Sequence, residues 1–189
     1  GWADSDTLAG GTGADHLFGG AGADSLDGGT DADQLEGDDG SDTILGGDGN
    51  DTLRGWNDND NLEGGAGDNQ LFGGVGMDTL WGGSGKDVLE GDDGVDNLYG
   101  GAGNDTLRGW NDADLMIGGD GGDALYGGAG ADYMAGEADS DQLEGDDGND
   151  TLYGGTGNDT LRGWNDNDLL AGEDGGDLLV GWSGDDMLL

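Results

Sequence analysis

An acidic side chain returns at every ninth position of this chain. Counting nonapeptides from Gly1, position six is aspartate in 20 of 21 units and asparagine, Asn69, in the remaining one. Odd-numbered units contribute Asp6, Asp24, Asp42, Asp60, Asp78, Asp96, Asp114, Asp132, Asp150, Asp168 and Asp186. Even-numbered units contribute Asp15, Asp33, Asp51, Asn69, Asp87, Asp105, Asp123, Asp141, Asp159 and Asp177. Such side chains offer oxygen alone, the donor that hard divalent cations prefer. Zinc would want histidine or cysteine, and the chain has one histidine and no cysteine. Catalysis needs differentiated groups converging in a pocket, whereas these acids are equivalent and evenly spaced. His16 falls at an outward strand position with no partner suggested. The expectation is a binding and structural module, not an enzyme.

Composition limits how such a chain can fold. Forty-four acidic residues against 4 basic ones leave a formal charge of −40, and 32% hydrophobic residues give little to bury against that repulsion. Forty-nine glycines raise the entropic cost of ordering. Two outcomes follow: permanent disorder, or folding driven by a bound cation. Nucleic acid is excluded as a partner, because phosphate binding needs clusters of Lys and Arg. No apolar run approaches membrane-spanning length, and no signal peptide is visible at the N-terminus. The lack of cysteine is compatible with secretion without establishing it.

Periodicity chooses between the two outcomes. The 189 residues divide into 21 nonapeptides without insertion or remainder, with the consensus GGxGxDxLx. Position one is always glycine, and position eight is always Leu, Ile or Met. A disordered acidic chain does not hold three columns in phase over that length. A strand across positions seven to nine would send position eight (Leu8, Leu17, Leu26 and onward) to one face and its neighbours to the other. Glycines at positions one, two and four suit a tight left-handed turn. Where position four is not glycine it is aspartate (Asp4, Asp31, Asp58, Asp112, Asp139, Asp166), a residue that tolerates positive φ.

Repeats such as 100–108 (GGAGNDTLR) and 154–162 (GGTGNDTLR) resemble the RTX family, whose nonapeptide is GGxGxDxUx with U a large apolar residue. The resemblance covers residues 1–189 as a single array and implies an all-β, right-handed parallel β-roll (a β-solenoid), two repeats per coil, about 10.5 coils. In that family the first six residues form a calcium-binding turn and the last three a short strand. Each ion would lie between turns n and n+2, held by aspartates of both. Carbonyls of positions two and four of one turn, and one and three of the next, would complete the shell. The resemblance further implies a bacterial protein secreted by a type I system and located extracellularly or at the cell surface.

Coils stacked about 4.8 Å apart would make a rod roughly 50 Å long and place each position-six residue over its counterpart two repeats further on. Carboxylates at that spacing repel unless a cation lies between them. Calcium accepts carboxylate and carbonyl oxygen in flexible geometry, whereas magnesium demands strict octahedra and gives up water reluctantly. Eleven odd and ten even turns leave room for about 19 internal ions, whose roughly +38 nearly matches the formal charge of −40. Folding and ion binding should then be one event. Asn69 should weaken the two ions beside it while still ligating through its amide oxygen, with Asp68 as a candidate compensator.

A second period is six nonapeptides long: 1–54, 55–108, 109–162 and the partial 163–189. GWxDxD recurs at 1, 55, 109 and 163, so that Trp2, Trp56, Trp110 and Trp164 line one edge, with Trp182 out of phase. That edge is either a stacking surface for carbohydrate or a neighbouring rod, or tryptophan folded over its own turn. Position nine of even units sets Glu36 beside Arg54, Glu90 beside Arg108 and Glu144 beside Arg162, as exposed ladder pairs of about 0.2–1 kcal/mol. The odd sheet faces outward with Leu45, Trp81, Tyr99, Ile117 and Tyr153, a stripe that reads equally as ordinary sheet surface or lateral contact. Beyond residue 169 the outward positions turn apolar (Leu169, Leu178, Val180, Met187, Leu189) and neither end carries a cap, which points to a longer array or to copies stacking end to end.

The leading functional reading is a calcium-dependent structural or adhesive module of a secreted or cell-surface bacterial protein, folding when it binds Ca2+. The alternatives are a self-assembling extracellular filament subunit and the accessory module of a secreted enzyme. Ice binding is disfavoured: related rolls with that activity rank Thr and Asn at positions three and five, and a Thr–x–Asn pair occurs here only at Thr156–Asn158.

Overall fold

A computed structural model describes residues 2–189; Gly1, the first residue of the first repeat, lies outside the described residues. Strands recur with every repeat, from β1 (Thr7–Thr12) and β2 (His16–Ala21) to β20 (Leu178–Ser183) and β21 (Met187–Leu188). No helix occurs among the described residues. Odd strands form one 11-stranded sheet and even strands a 10-stranded one, each element pairing with the second one along. All pairings are parallel and join each residue to its counterpart two repeats on, as in Leu35↔Leu53 and Leu53↔Leu71. The chain is therefore a β-solenoid with two repeats per coil.

Position eight builds the core. One continuous buried stack runs between the sheets from Leu17 to Leu170, with Ile44, Met116 and Met134 among the leucines. Leu8 and Leu179 pack partly against it. A sheet covered on one face only should alternate in exposure along each strand, and these strands do.

Two expectations need correction. Most strands are six residues rather than three: β6 (Thr52–Asn57) runs through positions seven to nine and on through positions one to three of the next repeat. The ladder survives this because pairing skips position one, passing from Arg54↔Phe72 to Trp56↔Gly74. Backbone N–H and C=O groups of positions two and three are thereby satisfied by neighbouring coils.

The glycine columns also divide by cause. Left-handed φ occurs at position two, for example Gly29 at 104°, and at position four, where all six aspartates lie between 70° and 135°. Among the described residues, position one is not left-handed. Its glycine answers to space: a Cβ on Gly10 would stand 2.7 Å from Asp15 Oδ2 and 2.8 Å from the Gly28 carbonyl oxygen.

Candidate metal centre

Pairing at this fixed offset brings the position-six residues into two columns, one along each edge of the roll. Within a column, each position-six N–H donates to Oδ1 of the residue one coil further on, from 2.6 Å at Asp6–Asp24 through 2.8 Å at Asp96–Asp114 to 3.0 Å at Asp168–Asp186. These bonds are a ruler for the turn, because they fix every carboxylate at the same height relative to its own backbone. Sixteen aspartates of the columns, Asp24 to Asp168, and Asn69 are buried. Asp6, Asp15, Asp177 and Asp186, in the outer coils, are half-buried.

The second carboxylate oxygen has no such partner. Oδ2 of seventeen aspartates is buried with no hydrogen-bond donor among the described residues. A buried anion without compensation is strongly disfavoured, and the titration of several of the central ones reflects it. Burial pushes Asp60 and Asp114 up to about 8, with neighbouring aspartate charges adding to the effect. Burial likewise raises Asp96, Asp123, Asp141 and Asp150 to about 7. Each site asks for a positive charge or a proton at Oδ2.

Backbone oxygens also crowd the space between coils. The Gly11 carbonyl, at position two, lies against Gly29 of the next coil; the Asp4 carbonyl, at position four, stands 2.7 Å from where a Cβ on Gly22 would be. The Gly28 carbonyl, at position one, faces back toward Gly10 of the preceding coil. Position three faces back as well: the Thr30 carbonyl accepts from Gly13 N–H at 3.2 Å. The position-one carbonyl and Asp15 Oδ2 thus lie beside the same glycine; the full set of four carbonyls is what the resemblance implies. No group of three or more His, Cys, Asp or Glu side chains converges among the described residues. The carboxylates would supply the charge, and the carbonyls most of the coordination number that calcium takes.

Asn69 shows what the gap accepts. Its Oδ1 takes the usual N–H, from Asp51 at 2.9 Å. Its Nδ2 occupies the place held by Oδ2 elsewhere and donates to the Gly67 carbonyl at 3.2 Å and the Gly82 carbonyl at 3.4 Å. Where aspartate stands instead, three oxygens converge with no proton between them, a cation site by composition. The amide oxygen accepts the column's N–H as aspartate Oδ1 does, while the amide nitrogen takes the place of Oδ2. Asp68 does not compensate: it is exposed, and its Oδ1 accepts the Lys86 N–H at 2.8 Å.

Other features were only partly legible beforehand. The pairs Arg54–Glu36 (3.7 Å), Arg108–Glu90 (2.8 Å) and Arg162–Glu144 (2.6 Å) form as expected. Beside them lies an unforeseen series at position three, Asn57–Asp39, Asn111–Asp93 and Asn165–Asp147, at 2.9, 2.7 and 2.7 Å. The longer of the two periods was the available signal for this series. Its partners sit one coil apart, so they become visible only once the coils are in register. Asparagines at position five cap the following coil, as Asn59 does for Met77 N–H at 2.9 Å. Trp56, Trp110 and Trp164 lie near the ends of even strands, on the outer face of the 10-stranded sheet.

A comparison with curated proteins gives no match. The family model of the RTX calcium-binding nonapeptide repeat matches residues 3–35, 36–71, 72–107, 90–125, 108–143, 144–179 and 165–189, together nearly the whole chain. With that coverage, and with stacked turns that set paired carboxylates among backbone carbonyls, the chain belongs to the RTX calcium-binding repeat family.

Proposed function

We propose that this roll is a calcium-triggered structural module of a secreted or cell-surface protein, with the position-six aspartates as side-chain ligands and about 18 ions at full occupancy, the Asn69 amide filling one of the roughly 19 gaps. One observation carries the reading: seventeen buried Oδ2 atoms lack a donor while backbone carbonyls face the same gaps. Calcium supplies the positive charge that these oxygens require. The chain's own residues do the rest. Position-six N–H groups hold each carboxylate in place, position-one glycines leave room for it, and the leucine stack excludes water from one side of each turn.

This arrangement supports a switch rather than a static scaffold. Without the ion, burying the columns is opposed by desolvation and mutual repulsion, so folding free energy and binding free energy are the same quantity. A module of this kind stays extended where calcium is scarce and becomes a rod where it is abundant, which suits export followed by folding outside the cell. A non-catalytic role fits the chemical equivalence of the columns. No helix among the described residues is long and apolar enough to cross a membrane.

Far-ultraviolet circular dichroism against free calcium, with ion counting by equilibrium dialysis, tests the reading. A cooperative gain of β signal with many ions bound per chain is expected. Equal order after exhaustive chelation at neutral pH would overturn it.

A further inference from the structure

The outer face of the 10-stranded sheet carries a row that calcium binding does not explain. Along position two, from β4 (Gln34–Asp39) to β14 (Ala124–Ala129), the register reads Asp38, Trp56, Gly74, then Asp92, Trp110, Gly128. Each tryptophan thus stands next to a bare glycine, with an aspartate one strand beyond it. The result is a pair of equivalent slots. One, of about 170 Å³, is lined by Arg54, Trp56, Phe72, Gly73, Gly74 and Asp92. The other, of about 210 Å³, repeats it three coils on, with Trp110, Gly128 and Asp146 in the corresponding places. Pockets for drug-sized ligands measure roughly 300–1,000 Å³, so each slot has room for a single ring.

We propose that these two slots each seat one ring of a neutral polysaccharide lying along the roll, which makes this face a glycan-binding surface of the calcium-folded chain. The proposal rests on the folded roll and adds a partner to it. Three observations carry it.

Backbone cost comes first. Trp56 and Trp110 hold φ of 82° and 77° at a position whose consensus residue is glycine. Left-handed backbone is an outlier for a bulky side chain. Burial does not repay it, since these tryptophans remain 48% and 49% exposed. Strain retained at repeated positions without packing gain marks a surface kept for contact.

The third copy shows what fits beside the indole. There the glycine is replaced by Trp182, in register with Trp164, and the two rings lie 5.2 Å apart at 3°. The space over the neighbouring strand therefore accepts a flat ring parallel to the tryptophan.

Wall chemistry selects the ring. Arg54 and Arg108 flank the slots and would repel a cation, while Asp92 and Asp146 at the far side would repel an anion. An aromatic side chain from a second protein would leave the aspartate facing it without a donor. A sugar ring can lay its C–H face on the indole, donate hydroxyls to the aspartate and accept from the arginine. The slots lie three strand spacings apart, about 14 Å, along the roll axis. One extended polymer can therefore reach both, and the second contact is strengthened by the first.

The test uses calcium-loaded full chain and calorimetry with neutral hexasaccharides of β-1,4-linked glucose, mannose and xylose and of β-1,3-linked glucose. A mannuronate hexasaccharide serves as the anionic comparison. Trp56→Gly and Trp110→Gly restore the consensus residue and relieve the left-handed strain, so both variants should fold at the same or lower calcium concentration. At least one neutral hexasaccharide should bind, and more tightly than its disaccharide. Each single variant should lose roughly tenfold in affinity, about 1.4 kcal/mol, and the double variant all measurable binding. Failure of every neutral probe at millimolar concentration would overturn the proposal, as would undiminished binding by the double variant. Self-association of the wild type that the double variant abolishes would assign the slots to a second copy and overturn it equally.

Discussion

Asn69→Asp converts the one amide of the columns into the carboxylate found at every other turn. The wild-type amide donates to Gly67 and Gly82 carbonyls at 3.2 and 3.4 Å. Both bonds are long, so losing them costs about 1–2 kcal/mol in total at the usual 0.5–1.5 kcal/mol each. The new carboxylate would also face Asp87, which burial already pushes up to about 6 against the lowering effect of hydrogen bonds from Asn69. At low calcium the variant should therefore be worse than the wild type. Once the gap can hold an ion, the sign reverses. A site with free ion at 100 times its Kd contributes about 2.7 kcal/mol, more than the two hydrogen bonds it replaces. Calcium titration by circular dichroism should show a steeper transition with a lower midpoint. Equilibrium dialysis should find one more ion per chain. An unchanged ion count, with a midpoint unmoved or raised, would refute the claim that the Asn69 amide stands in an ion's place.

Three further outcomes follow from the same geometry. Gly100→Ala would set a methyl 2.6 Å from both Asp105 Oδ2 and the Gly118 carbonyl, so the folding midpoint should move to higher calcium, with an overpacking cost of about 1–3 kcal/mol and loss of the adjoining ion in dialysis. Calcium-free chain should gain β structure on acidification. Burial raises Asp60 and Asp114 to about 8 and Asp42 to about 6 in the roll, so the folded state holds more protons than the unfolded one, where aspartates titrate near 3.9. That contribution is complete at low pH and is lost as pH rises through about 6 to 8. Circular dichroism in chelator from pH 8 to pH 4 reads it. Arg108→Ala, by contrast, removes a part-exposed pair with Glu90 at 2.8 Å and a stack over Tyr126 at 5.8 Å, and should shift stability by no more than about 1–2 kcal/mol in a calcium-saturated thermal melt.

The nonapeptide period was legible because it repeats a local requirement: an apolar side chain once per repeat for the core, and an aspartate just ahead of it for the turn. From this, together with the two repeats per coil that the family resemblance implies, the leucine stack, the two carboxylate columns, the alternation of sheets and the Glu–Arg ladders could be named. The six-residue strands could not, because positions one to three look like turn residues until their backbone groups are seen pairing with the next coil. Position-one glycine had two available explanations, and only the packed structure separates them: Gly10 keeps clear of Asp15, while Gly29 bends the chain.

The orientation of Asn69 and the slots beside Trp56 and Trp110 lay further from view. Trp56 meets Gly74 one coil on and Asp92 the coil after that, and no local rule of the sequence couples them. Such contacts depend on register, which is a property of the stacked coils. Backbone carbonyls, which would complete the proposed ion sites, point the same way whatever side chain they carry and so leave no mark in the sequence. The sequence by itself thus determined which residues carry charge and which are buried. The tertiary structure decided what each carboxylate and each indole faces.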